Sequence, residues 1–340
     1  MLAAVIRVAS PAGNGGRDPI ASREGPRGFV AVVPGKVGGG ASRARHACRI
    51  WGWIMEPVLT TILLATDGSP MADEAGRAAV ALARLTGATL HVVHAWHVPS
   101  EHAARSIAPI DRAYIAALHE EQGRADLAGA LERLAEMGGT VASAQLREGR
   151  PVAAVLAEAD TVGADLIVTG SRGSGPAKRV LLGSAAEGIV RGAACPVLVI
   201  RDGDGPWPPA RVVVGADGSA ESRRAAALAA RIAAPTDAAF LLLRTVPALP
   251  PLGAQTPEDD ARAAQFQADA LRCAEADLAG QADALTPLLG RRPRVQATVE
   301  DADIALLRAA EEAPAPVLIA AGTRGTAPAG QLWLGSTALS

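Results

Sequence analysis

The chain carries one pattern twice. TTILLATDGSPMA at residues 60–72 returns 150 positions later as ARVVVGADGSAES at 210–222, so Asp217 matches Asp67. LHVVHAW at 90–96 returns as FLLLRTV at 240–246, and ADLIVTGSRG at 164–173 as PVLIAAGTRG at 316–325. A period the size of a domain marks a duplicated fold rather than a solenoid. The 340 residues are enough for two domains that each bury a core of their own. Aromatic residues make up only 3% of the chain and hydrophobic residues 49%, so the cores must be built from Ala, Val, Leu and Ile. Such cores suit helices packed on buried parallel strands.

From Val58 onward, apolar runs of strand length alternate with segments of helical period, the pattern of a parallel sheet with crossover helices. In the first repeat the expected strands are TTILLAT, LHVVHA, TVASAQL, ADLIVTG and PVLVI. Between them, Ser69 is expected to cap a first helix with Pro70 in its first turn, its apolar face formed by Ala75, Ala79, Leu82 and Leu85. IDRAYIAALHEEQGRADLAGALERLAEMG, PVAAVLAEA and SAAEGIVRGAA supply three more helices, completing one doubly wound α/β domain over 55–201. DGDGPWPPA at 202–210 reads as a linker, and the second domain follows at 211–340.

Residues 1–54 differ in composition from the rest. They hold eight Lys or Arg against two Asp or Glu, leaving 25 basic and 33 acidic residues to 55–340. Rich in Gly, Arg and Pro, this stretch is expected to be an unstructured leader, with Met55 as the true first residue; a targeting arm is the alternative. The net charge of −2 and the lack of a basic stripe with interleaved aromatics argue against a nucleic-acid partner. No apolar run reaches the length of a membrane helix, and the widely spaced Cys48, Cys195 and Cys273 read as reduced thiols of a cytoplasmic protein. His91, His94 and His97 fall on or beside a strand, where positions three apart face opposite ways, so no metal site is expected.

Each repeat also carries Gly, two residues, Gly, nine residues, Gly-Ser. The members are Gly170, Gly173 and Gly183-Ser184, then Gly322, Gly325 and Gly335-Ser336. Glycines after a strand let backbone N–H groups approach an anion, and a helix start offers unpaired N–H groups and a positive dipole end. Ser184 is expected to cap the following helix, with Glu187 completing a capping box. One such loop is often only turn chemistry. Two at the same spacing, each paired with an aspartate after the first strand, point to a phosphate seat beside a carboxylate able to accept ribose hydroxyls. Arg172 and Lys178 add cations near the first loop.

With these motifs the chain resembles a tandem universal stress protein of the ATP-binding type over residues 55–340. The resemblance implies two tandem doubly wound parallel-sheet domains of strand order 3-2-1-4-5. It also implies that ATP, with or without magnesium, is bound. Asp67 would hold the ribose, the backbone near Ala65, Thr66 and Ala95 the adenine end, and Gly170, Gly173, Gly183, Ser184 and Ala185 the phosphates. The second-repeat equivalents are Ala216, Asp217, Thr245, Gly322, Gly325, Gly335, Ser336 and Thr337. A chain beginning at Met55 is expected to fold and bind nucleotide as well as the whole.

Family domains continue past Gly-Ser into a last helix and strand, whereas Ser340 comes five residues after Gly335. The second copy is therefore expected to be truncated at its C-terminus, with its fourth strand an uncovered edge and the family's domain pairing through fifth strands in doubt. Self-association or pairing of the two domains within the chain stays open. The implied function is regulatory, a stress response working through nucleotide-dependent conformation or partners. A slow ATP hydrolase and an adaptor or dimerisation module are the alternatives. No catalytic residue is assigned, because no metal-binding carboxylate pair or positioned base stands near the loop.

Overall fold

The computed structural model describes residues 4–5, 29–33, 59–98, 112–173, 182–201, 207–248, 256–312 and 316–322. The chain divides into two compact units, Val58–Asp202 and Gly203–Ser340 together with Met1–Pro57. In the first unit lie β3 (Thr61–Thr66), β4 (Thr89–Trp96), β5 (Val141–Glu148), β6 (Leu166–Gly170) and β7 (Val197–Ile200). All pair in parallel, in the order β5-β4-β3-β6-β7, which is 3-2-1-4-5 within the repeat. Reversal of winding after β5 sends the helices to opposite faces, since parallel crossovers are right-handed. Helices α1 (Pro70–Thr86) and α2 (Arg112–Glu136) pack together, as do α3 (Pro151–Val162) and α4 (Ser184–Gly192).

Ser69 caps α1 as its sequence implies, its hydroxyl accepting from the Ala72 N–H at 3.2 Å. Ala75, Ala79 and Leu82 are fully buried, but Leu85, in the last turn before the Gly87 cap, is 37% exposed. Asp165, just before β6, ties that strand to β3. Its carboxylate accepts from the Thr60 and Thr61 N–H groups at 3.0 and 3.1 Å and from the Thr60 hydroxyl at 2.6 Å.

Cys195 and Cys273 are free thiols; Cys48 lies outside the described residues. Burial, with the negative charges of Asp165 and Asp160 adding to it, pushes the Cys195 thiol up from 9.0 to about 12. Iodoacetamide at pH 8 should therefore modify exposed Cys273 and leave Cys195 intact until the domain unfolds. Below pH 9 the thiol contributes no pH dependence. Between 9 and 12 the unfolded chain releases a proton that the folded one keeps. Stability should then fall by up to about 1.4 kcal/mol per pH unit. Urea midpoints of Cys195→Ala should decline less steeply across that window than those of the parent.

The second unit repeats the plan with β8 (Arg211–Gly215), α5 (Ala220–Ala233), β9 (Ala239–Val246), α6 (Pro257–Leu289), β10 (Arg294–Val299), α7 (Ala302–Glu311) and β11 (Val317–Gly322). Its parallel order is β10-β9-β8-β11, again 3-2-1-4. Beyond β11 the structure departs from the uncovered edge expected there. β2 (Phe29–Val33) pairs with it in parallel, and β1 (Ala4–Val5) bridges its last two residues in antiparallel fashion.

Candidate functional site

Asp67 follows β3 in the turn that starts α1. Its Oδ1 accepts from the Ser69 N–H at 3.1 Å, so one carboxylate oxygen shapes the turn. Thr66, buried before it, accepts from the Gly68 N–H at 3.2 Å and presents its carbonyl to His94 Nδ1 at 3.0 Å. Because β6 lies beside β3, with Ala65 opposite Thr169, the loop leaving β6 runs past the Asp67 turn. At Gly173 that loop comes so close that a Cβ would collide with Oδ2 of Asp67. The spacing of the glycine motif thus has a geometric reason.

Gly170 serves a different purpose. A Cβ there would stand 2.8 Å from Met71 Cγ and 3.1 Å from the Met71 carbonyl oxygen. Its matched residue Gly322 is similarly placed, with a Cβ 3.3 Å from the Ser222 nitrogen. The first glycine of each motif therefore seats the fourth strand against the first helix. In the first repeat it is Gly173 that faces the carboxylate.

The loop is closed at its base by backbone bonds, Ser171 N–H to Ile200 O at 2.7 Å and Gly183 N–H to Ser171 O at 2.8 Å. Ser184 does not cap α4. Gly183 is the N-cap, without a side-chain cap, and Ser184 is already the first helical residue. A cap must stand half outside the helix for its side chain to reach back to the first turn. Glu187 instead pairs with Arg191, whose Nε donates at 3.0 Å. In consequence, the N–H groups of Ser184 and Ala185, both exposed, open at the helix start with no partner inside the helix.

Ser171 was not legible as a site residue. Fully buried, its hydroxyl has no hydrogen-bond partner among the described residues. Its only signal in the sequence is a hydroxyl residue at the matched position of the second repeat, Thr323. Ala65 is buried and Ala95 half-buried, at the C-terminal ends of neighbouring strands where Thr66 pairs with His94. Arg172 is half-buried in the loop; Lys178 lies outside the described residues.

The second repeat preserves the aspartate turn. Asp217 Oδ1 accepts from the Ser219 N–H at 2.9 Å, and the Ser219 hydroxyl accepts from the Ser222 N–H at 3.1 Å. Ala216 is buried and donates to Leu243 O at 2.8 Å, while Thr245 is half-buried near the end of β9. Where the first repeat has His94, the second has Arg244, which donates to Asp277 at 2.7 Å and lies beside Gly218. Gly322 ends β11; Gly325, Gly335, Ser336 and Thr337 lie outside the described residues.

The three histidines do not converge. His91 Nδ1 pairs with Ser143 Oγ at 2.6 Å, His94 with Thr66, and His97 is exposed. Among the described residues no three His, Cys, Asp or Glu side chains are grouped to hold a metal ion, and no helix is long and apolar enough to cross a membrane.

The sequence model of the universal stress protein family matches residues 59–201 and, over a slightly shorter span, 209–340. A universal stress protein of Thermus aquaticus is 39% identical over 141 residues, covering 42% of this chain and 98% of that protein. One from Bacillus subtilis is 33% identical over 145 residues, 41% of this chain and 97% of its own length. A solved universal stress protein structure from Pseudomonas aeruginosa covers 84% of this chain and 89% of its own, with a TM-score of 0.51 at 18% identity, a likeness of fold alone.

Proposed function

Because the chain belongs to the universal stress protein family, we propose that its first domain binds ATP and that it acts as a stress-response regulator through nucleotide-dependent conformation or partner binding. The observation carrying this reading is the approach of Gly173 to the Asp67 carboxylate beside the uncapped start of α4. The site fits a nucleotide in three respects. Gly173, where a Cβ would meet Oδ2 of Asp67, lets the loop backbone run close to that carboxylate, so one ligand could reach both. The open N–H groups of Ser184 and Ala185 and the dipole of α4 suit phosphate oxygens. Asp67, whose Oδ1 accepts from the Ser69 N–H, is an acceptor-only carboxylate of the kind that takes ribose hydroxyls.

In this reading Ala65, Thr66 and Ala95 border the adenine, and Gly183 sets the entry to the helix. Arg172 balances phosphate charge, and magnesium, where present, would be held chiefly by the phosphates. The buried Ser171 hydroxyl supplies one further polar group at the base of the loop. The second repeat would offer Ala216, Asp217, Thr245, Gly322, Gly325, Gly335, Ser336 and Thr337 to a weaker site. A cytoplasmic location belongs to the same proposal.

Among the described residues no side chain is positioned as a base beside the loop, and the role proposed is retention of ATP rather than its rapid consumption. Turnover should fall far below the usual enzyme range of about 1 to 1,000 per second. Calorimetric titration of the purified chain with ATP, ADP, AMP and cyclic AMP tests the ligand, and phosphate release with and without magnesium tests turnover. Failure of all four nucleotides to bind would overturn the binding proposal. Robust magnesium-dependent release, abolished by Gly173→Val, would make the protein an enzyme.

A further inference from the structure

The place beside β11 that β7 holds beside β6 is taken by β2, and the two pairings share one register. β6 meets β7 through Ile167↔Val197, Val168↔Leu198, Thr169↔Val199 and Gly170↔Ile200. β11 meets β2 through Ile319↔Val30, Ala320↔Ala31, Ala321↔Val32 and Gly322↔Val33, with Leu318↔Phe29 one step before. Ile167 and Ile319 are matched positions of the two repeats, as are Gly170 and Gly322. Val30-Ala31-Val32-Val33 therefore stands where Val197-Leu198-Val199-Ile200 stands in the first domain.

The sequences answer the same demand. All four β7 residues are fully buried, which requires a strand apolar on both faces. FVAVV is such a run, uncharged and rich in β-branched residues, bounded by Gly28 on one side and Pro34-Gly35 on the other. An exposed edge beside β11 would be a template for pairing with other chains, and β2 covers it.

We propose that Phe29–Val33 is the fifth strand of the second domain, so that the outer edge of β11 is a docking surface filled by this chain's own N-terminal segment. The segment lies ahead of the entire first repeat in sequence, which makes the second domain a product of two distant stretches. On this proposal a chain beginning at Met55 would lack the strand that pairs with β11, whereas composition alone suggests that such a chain folds as well as the whole.

Two measurements on the full chain test the proposal. Ala31→Pro with Val32→Pro places consecutive prolines in β2; successive residues bond to opposite neighbours, so a ladder donor toward β11 is lost whichever residue supplies it. By hydrogen exchange, amides of 317–322 should exchange roughly tenfold faster or more, those of β6 should be unchanged, and prolines at Gly13 and Asn14 should have no effect. Equal exchange of 317–322 in all three proteins overturns the proposal.

The second measurement does not depend on the proline variant folding. Directly paired strand residues lie about 4.8 Å apart, within disulfide range. Val30→Cys with Ile319→Cys should therefore oxidise to a 30–319 disulfide at the mass of a single chain, whereas Val30→Cys with Ala321→Cys should not. A cross-link found only at twice that mass assigns the edge to a second copy and overturns the intrachain strand. The absence of any 30–319 disulfide overturns it as well.

Discussion

Asp67→Ala should lower ATP affinity by about 100-fold or more, while Asp217→Ala should change it by less than about threefold, with a calorimetric stoichiometry nearer one than two. A carboxylate accepting ribose hydroxyls contributes about 1.5–3 kcal/mol for each charged hydrogen bond, and every 1.4 kcal/mol is a factor of about ten. Asp67→Asn separates site from turn. Its amide oxygen can still accept from the Ser69 N–H as Oδ1 does at 3.1 Å, so the fold should persist while affinity falls at least roughly tenfold. The inequality of the two sites rests on their loops. SGPAKRVLL brings Lys178 and Arg179 to the first, and TAPAGQLWL brings no cation to the second. Two equal sites, or equal losses from the two substitutions, would sink this assignment.

Arg147→Met should destabilise the first domain by about 3–5 kcal/mol, the cost of stranding a buried charge. Glu158 on α3 is only 2% exposed, and its Oε2 accepts from Arg147 Nε at 2.8 Å and from Nη2 of the same guanidinium. Met retains the apolar stem of the arginine and removes only the partner. For a domain of this size such a loss lowers the melting temperature by roughly 6–20 °C. Arg147→Met combined with Glu158→Leu should recover most of it, because the cost lies in the unpaired carboxylate rather than in the missing ion pair. Calorimetry of the two variants decides the matter, and equal destabilisation of single and double variants would refute that account.

The first domain was legible because its signals are local. Each strand is an apolar run, Ser69-Pro70 is a helix start, and the repeat of these features 150 residues on identifies the duplication. Burial follows period at Ala75, Ala79 and Leu82 and fails at Leu85, in the last turn before the Gly87 cap, where fewer neighbouring turns remain to cover a side chain. The Ser184 capping box was misread for a related reason: the motif is met by residue type, but the chain enters the helix one residue earlier, at Gly183.

The sequence by itself determined the residue types and spacings of the site, because glycines, a turn aspartate and a strand-to-helix passage are written in consecutive residues. Only the tertiary structure decided what each glycine does. Gly170 and Gly322 are pressed against helix starts about 100 residues earlier, Gly173 against Asp67, and no spacing separates those roles. Only the tertiary structure, too, placed Phe29–Val33 beside Leu318–Gly322. Strand pairing depends on backbone groups that every residue carries, so an apolar run names no partner until the sheet brings one to its edge.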